Sequence, residues 1–560
     1  MVDQGSWRHS AVMDKDEVTR DRRPMKARSF LTAVGAALLS LVLLAMGLIW
    51  TMDRRSPLHL AEQPLQLPRS ARFVPRDAAV SLHWLADPSR LPAYAQAVAP
   101  ASQRRAARDG ARAWRNGAFA LAGLEFEAEL APWIGSEISL TLLDGVALNG
   151  VSLDGVSDPG WVLALTSRDS DGARRFLQRF WQTRSLAGTD LQISSYRGIG
   201  VISGRGALIG RDPQPLATAL IDDDLLLLAS GRGVLEQSLD VSQLKDQHQL
   251  GDQRLQQNVA DLGDGVAVLT VSPAAMQRWL QLPAVLTERS DLAGLVASLR
   301  PDGATLAADA VIAFRDKLSP EPWQPLNDLS ETAGGRALWL AQLQNPSRLL
   351  DSDDQHPLAQ WLGPLLRSHL QGQAAAATVV ELDDGPLLWQ HQSDGWLLTT
   401  SREQPQQALV DVQLQEQGLS RSELDGDGER LAVWTRLVRQ RGRTAGLEAQ
   451  LAIAQAHAAS VDWWGETLIA LKHRQDTRGV QPRLRQWQAI SSDGRPAHAL
   501  LLAAEPSQDL LAAWQPWAFV QALAGQSMKG QVQGLSLVVD VDQQDDVGSK
   551  LPLHVRLDLG

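Results

Sequence analysis

Apolar residues along this chain fall into two kinds of run. One is continuous: Phe30–Met52 reads FLTAVGAALLSLVLLAMGLIWTM and carries no charge. The others are short, and each gives way to a polar cap and then to helical spacing. AVSLHWLADPSRLPAYAQ begins at Ala79, WVLALTSRDSDGARRFLQRFW at Trp161 and DLLLLASGRGVLEQSL at Asp224. GVAVLTVSPAAMQRWL begins at Gly265, RALWLAQLQNPSRLL at Arg336, GWLLTTSREQPQQALV at Gly395 and AHALLLAAEPSQDLLAAW at Ala497. Each apolar stretch predicts a strand buried on at least one face. The polar residue after it caps the free N–H groups of a helix. Proline fits the first helical position, where its missing donor costs nothing.

One unit recurs nearly residue for residue. Asp87-Pro88-Ser89-Arg90-Leu91 and Asn345-Pro346-Ser347-Arg348-Leu349 stand about half the downstream length apart. The repetition predicts two related α+β halves, 71–318 and 336–560. The Pro- and Gly-rich stretch 319–335 would link them. LQISSYRGIGVISG, from Leu191, places two strands around a tight glycine turn. Such hairpins point to antiparallel pairing, hence to an α+β class rather than a doubly wound α/β sheet.

The long run predicts a transmembrane helix of roughly 34 Å, enough to cross a hydrocarbon core of about 30 Å. Lys15, Arg20, Arg22, Arg23, Lys26 and Arg28 precede it, and only Arg54 and Arg55 follow closely. That asymmetry predicts a cytoplasmic N-terminus, with residues 1–29 as a disordered tail. Residues 53–70, with Pro57, Pro64 and Pro68, read as a spacer. A cleaved signal peptide is the competing reading. The long polar lead and the lack of a small-x-small site after Trp50 weigh against it. The expected arrangement is a single-pass membrane anchor with the large region exported across the membrane.

Composition narrows the chemistry. About 500 residues follow the run, too many for one ordinary core. A net charge of -11 without a basic stripe argues against nucleic acid. There is no cysteine, so disulfides, thiolate metal sites and cysteine nucleophiles drop out. The 19 Trp residues, against 8 Phe and 2 Tyr, supply large apolar area for a core.

Specific motifs fail on spacing. Gly231-Arg232-Gly233 follows a strand, but Glu236 stands where a dinucleotide loop needs its third glycine. The 11 His residues show no zinc-type spacing. Asp425, Asp427 and Glu429 begin like a calcium loop, yet Arg430 and Arg436 occupy positions that need glycine and a bidentate acid. Asp540, Asp542, Asp545 and Asp546 form another acidic group, and Asp222, Asp223 and Asp224 mark an exposed turn. Gly150–Gly155 is one residue too long for a nucleophile elbow. Glu125, Glu127 and Glu129 share a face if the segment is extended, and a solvated face is the plainer reading than a glycosidase pair. No catalytic, cofactor or metal residue is therefore assigned.

FVPRDAAVSLHWLADPSRL from Phe73, GLEFEAELAPWIGSEISLTLL from Gly123, and the segment from Trp161 to Ile199 carry a family likeness. Together they resemble a bacterial family known as domain of unknown function 3352. The Pro132-Trp133-x-Gly135-x-Glu137 core is the most recognisable piece. The resemblance implies a single-pass anchored protein in a cyanobacterial envelope or thylakoid setting. It implies no substrate and no catalytic residue. Pro132, Trp133 and Gly135 read as a packed corner or a Trp-based binding surface. Trp463, Trp464 and Gly465 make a similar entry into LIAL.

The expectation is a non-enzymatic, membrane-tethered binding or assembly factor. Its partners would be membrane lipid through residues 30–52 and a protein of the envelope. The alternative is an envelope hydrolase whose site is assembled from dispersed residues.

Overall fold

The computed structural model describes residues 58, 60 and 64–559, apart from 144–159 and several shorter internal stretches. Phe30–Met52 and Gly150–Gly155 lie outside the described residues, as do Asp427, Asp545 and Asp546. In the N-terminal part the strands are β1 Val80–Trp84, β2 Ile134–Leu142, β3 Trp161–Ser167, β4 Gln192–Tyr196, β5 Ile199–Ala207, β6 Pro213–Ile221, β7 Leu225–Ala229, β8 Ala267–Val271, β9 Leu292–Asp302 and β10 Thr305–Phe314. In the C-terminal part they are β11 Trp339–Gln344, β12 Pro386–Gln392, β13 Gly395–Ser401, β14 Ser420–Gly426, β15 Glu429–Arg439, β16 Leu447–His457, β17 Val461–Gly465, β18 Pro496–Ala503, β19 Val532–Asp540, β20 Gln543–Gln544 and β21 Ser549–Leu559.

All of these strands join one 21-stranded sheet, and every pairing is antiparallel. From one edge inward the order is β4-β5-β6-β7-β3-β2-β1-β8-β9-β10. From the other edge it is β14-β15-β16-β17-β13-β12-β11-β18-β19-β21. The same order is thus laid down twice, and β10 pairs with β21 where the two runs meet. The short β20 lies beside β21. Asp87 and Asn345 close β1 and β11 respectively, and each caps the helical turn that follows. Asp87 accepts from Ser89 N at 2.8 Å and Asn345 from Arg348 N at 3.2 Å.

Local chemistry explains the hairpins. Arg197 and Gly198 between β4 and β5 both have positive φ, as do Asp222 and Asp223 between β6 and β7. Two consecutive left-handed residues match the twist of an antiparallel pair, and Gly and Asp accept that conformation at low cost.

This arrangement corrects the expected fold class. Capping motifs suggested repeated strand–helix units in two bodies behind a transmembrane helix. The strands instead share a single antiparallel sheet, and Leu60–Gly560 forms one compact unit. No helix among the described residues is long and apolar enough to cross a membrane. A cap reports only how a strand ends, whereas pairing is decided by partners far away in sequence.

Helices cover both faces of the sheet. On one face Leu235 and Leu239 of helix Arg232–Val241 pack on Val162, Ala164 and Leu227. On that face Trp487 and Ile490 of helix Gln481–Ser491 pack on Leu340, Leu388 and Leu501. On the other face Phe176, Phe180 and Trp181 of helix Ser170–Leu186 meet Leu163, Leu165 and Leu226. Val410 and Leu414 of helix Gln407–Glu416 meet Trp389, Leu398 and Trp434 there. Covering both faces accounts for strands such as β7, LLLLA, in which every residue is buried.

The joint between the two runs carries a charged clasp. Asp309 of β10 stands directly opposite His554 of β21. His554 Nδ1 lies 2.7 Å from Asp309 Oδ1, and its Nε2 lies 3.5 Å from Asp540 Oδ2. The hydrogen bonds to Asp309 and Asp540 push the imidazole up to about 9 despite desolvation. The same contact holds the Asp309 carboxyl below the usual range. A histidine whose folded pKa is raised stabilises the fold below its unfolded value near 6.5. That contribution is lost as pH rises through the folded value. The stability gap between the wild type and His554→Gln should therefore be largest near pH 6 and shrink as pH rises through 9. Denaturant titrations across that range provide the check, and a gap that does not change with pH would contradict the assignment.

Candidate functional site

The corner at Pro132-Trp133-Ile134-Gly135 is a packing device. Trp133 is buried, its indole N–H donates to Glu129 O at 2.7 Å, and its ring lies 5.2 Å from Phe176. Gly172 lets the helix close on it, since a Cβ there would stand 2.6 Å from Trp133 Cβ. At Gly135 a Cβ would stand 2.6 Å from Thr166 Oγ1. That hydroxyl donates to Glu137 O at 2.9 Å and accepts from Glu137 N at 3.1 Å, so the two strands require a residue without a side chain here. Pro132 sits exposed on the turn.

Trp463, Trp464 and Gly465 belong to β17 and do not meet that corner. Trp464 is buried, 5.6 Å from Trp434, and its indole N–H donates to Thr400 Oγ1 at 3.2 Å. Trp463 faces the opposite side of the sheet, beneath the Arg474 guanidinium at 5.2 Å. A Cβ on Gly465 would stand 3.1 Å from Thr467 O and 3.2 Å from Leu471 Cβ, so helix Leu468–His473 packs closely over this glycine.

The other motifs resolve into structure. Glu125, Glu127 and Glu129 do not form an extended face, because Phe126–Leu130 is a helical turn. Glu127 pairs with Arg115, and Glu129 accepts from Glu125 N at 2.7 Å. Gly231, with φ of 142°, precedes a helix and packs beside Pro215. Asp425 is exposed, 3.9 Å from Arg430. Asp540 accepts from Arg495 N at 3.0 Å, and Asp542 accepts from Trp323 N at 3.4 Å. Among the described residues no three potential ligands converge on a metal position.

Three buried titratable groups were invisible as motifs because each is a lone residue. Burial pushes His83 down to about 4 although it bonds Gln249, and pushes His498 down to about 3 beside Trp323 and His356. Burial raises Asp383 to about 7, with one oxygen accepting from Gly385 N at 3.2 Å. All three lie in packed interior, and none is paired as an acid–base couple.

One accessible apolar feature lies on β15 and β16, just beyond the end of the edge strand β14. Ala452 is an extra residue in β16, a bulge opposite Trp434 and Thr435 that bends this strand, and the strand pair beyond it turns leucines outward. Leu437 and Leu447 are 62% and 68% exposed. They continue a row whose next member, Leu451, packs on Leu397, Val433 and Leu471. Helix Leu468–His473, which supplies Leu471, exposes Leu468 and Ile469 as well. No strand among the described residues pairs with the outer side of β14, whose Arg421, Glu423 and Asp425 put charges on that edge. The sequence signal was present as alternation in LEAQL and as apolar residues flanked by arginines in TRLVR, but it falls within strands whose inner ends are buried.

Comparison with known proteins places this geometry in a family. The chain belongs to the family described as Protein of unknown function (DUF3352), whose model matches residues 33–553. No curated protein matches it. Crystal form III of TP0453 is 11% identical over 45% of this chain and 80% of that chain, with a TM-score of 0.25. Crystal form IV of TP0453 is 8% identical over 44% and 81%, with a TM-score of 0.24.

The corner and the exposed row should respond differently to substitution. Trp133→Ala removes a fully packed ring and should cost about 3–5 kcal/mol in denaturant unfolding. Leu437→Ser should stay within about 0.5 kcal/mol. The reverse ranking would contradict the division between packing corner and free surface.

Proposed function

We propose that this member of the DUF3352 family is a non-enzymatic binding or assembly factor working at a membrane surface. The exposed row Leu437 and Leu447, beside the unpaired edge of β14, carries the reading. Leucines held outward in water gain nothing for the isolated fold. Burial against a partner would return about 1.5–3 kcal/mol for each. The open strand edge offers backbone donors and acceptors to the same partner. A protein of the envelope suits this combination of apolar side chains and strand edge.

The membrane part of the proposal rests on sequence. Residues 30–52 are apolar and uncharged, with more basic residues before than after them. They support contact with membrane lipid, with the larger region on the periplasmic or lumenal side of a plasma or thylakoid membrane.

A photo-crosslinking residue at position 437 of the full chain, activated in native membranes, tests the reading. One discrete protein adduct is expected, and Leu447→Asp should abolish it without lowering Tm. No adduct beyond that given by the same probe at the exposed Leu244 would contradict the proposal.

A further inference from the structure

The two runs of strands present the same stretch of sheet to the elements above it, and they treat its polar side chains differently. In the first run Ser81 and His83 of β1 and Ser139 of β2 are buried beneath Arg69–Phe73 and Gln249–Gly251. Their polar atoms are matched within the protein. Ser139 Oγ lies 2.7 Å from His83 Nδ1 and 2.6 Å from Ser70 Oγ. His83 Nε2 lies 3.1 Å from Gln249 Oε1, and Gln249 Nε2 donates to Ser81 and Thr270 at 3.1 Å.

Strands β11, β12 and β13 take the places of β1, β2 and β3 in the second run. Here Gln342, Gln390 and Thr399 are 1%, 0% and 0% exposed. Gln342 stands opposite Leu388, Leu388 opposite Thr399, and Thr399 opposite Trp463. Gln390 lies two residues along β12, between Leu340 and Leu397. Directly opposed residues share a face, so all four polar side chains sit on one side of the sheet. Leu329 N donates to Gln342 Oε1 at 3.1 Å. Among the described residues no protein group bonds Gln342 Nε2, either amide atom of Gln390, Thr399 Oγ1 or Trp463 Nε1.

These atoms lie along the seam between two apolar clusters. Trp487 and Ile490 pack on Leu340 and Leu388 on one side, and Leu471 packs on Leu397 on the other. At the rim Arg474 covers Trp463 and is paired with Glu429. Buried donors and acceptors are almost always bonded, to protein or to a bound molecule. Here several lie on one face of β11, β12, β13 and β17, in the part of the sheet where the first run satisfies its own.

We infer that this seam is a binding site for a small uncharged hydrogen-bonding guest: water, or a molecule presenting hydroxyl or amide groups. The two amide groups and the indole donate, Gln390 Oε1 accepts, and the Thr399 hydroxyl does either. None of the four side chains is ionisable, and the rim charges are paired to each other. A charged guest would therefore be buried without compensation. The inference is independent of the partner surface on β14–β16.

A high-resolution crystal structure of the protein, native mass spectrometry and two variants test it. Density within hydrogen-bonding distance of Gln390, Gln342 and Thr399 is expected. An added mass retained in the native spectrum identifies an organic guest, and density without added mass identifies water. Gln390→Leu and Thr399→Val keep the volume and remove hydrogen-bonding atoms, so each should lower Tm by about 2–4 °C if they strip a guest of partners. A dry seam in the density, or a rise in Tm for both variants, would overturn the inference.

Discussion

The pairing of β10 with β21 is the constraint on which the rest of the structure depends. It runs in continuous register from Thr305↔Asp558 to Phe314↔Ser549. Without it each run of strands would end in an open edge at the middle of the molecule. The largest apolar cluster straddles this joint. It takes Met276 and Leu286 from the first run, Leu358 and Trp361 from the second, and Ile312 and Leu551 from the paired strands themselves. The Asp309–His554–Asp540 clasp marks the register, because a slip of one residue would turn these side chains to opposite faces.

Laying down one order twice has consequences for both faces. Each run brings its own helices above and below the sheet, so an antiparallel sheet that commonly leaves one side in water is here covered on both. That explains unbroken apolar strands, and it makes any polar side chain on a strand costly unless it is matched. The first run matches His83 and its neighbours with Ser70 and Gln249. The second run carries two glutamines, a threonine and an indole at the corresponding place with fewer protein partners. The outer ends of both runs carry apolar side chains into solvent, Ile193 on β4 in the first and Leu437 and Leu447 on the bulged β15–β16 pair in the second.

Much of the local structure was legible in the sequence. The capped strand ends at Asp87 and Asn345 and the acidic turn at Asp222–Asp224 follow from side-chain chemistry within a few residues. The sheet was not legible. Strand β3 passes over β4, β5 and β6 to pair with β7, and β13 passes over three strands to reach β17. Such pairings reflect complementary faces, which periodicity cannot rank when both faces are apolar. For the same reason repeated capped units suggested separate bodies, whereas β10 and β21 make one sheet of them. The exposed row was hidden because Leu437 and Leu447 continue strands whose inner residues are core. His83, His498 and Asp383 gave no signal because their properties come from burial and not from spacing.

The central claim is the joint, and the absence of native cysteine permits a direct test. Ala308 of β10 and Val555 of β21 stand directly opposite each other. Opposed Cα atoms in an antiparallel pair are about 4.5–5.5 Å apart, within the span of a disulfide. The full chain carrying Ala308→Cys and Val555→Cys should form that bond on mild oxidation. Its mass should fall by two hydrogens, and no thiol should remain to label after denaturation. Two free thiols under the same conditions, in a protein that keeps its wild-type Tm, would show that the runs do not meet there and would contradict the continuous sheet.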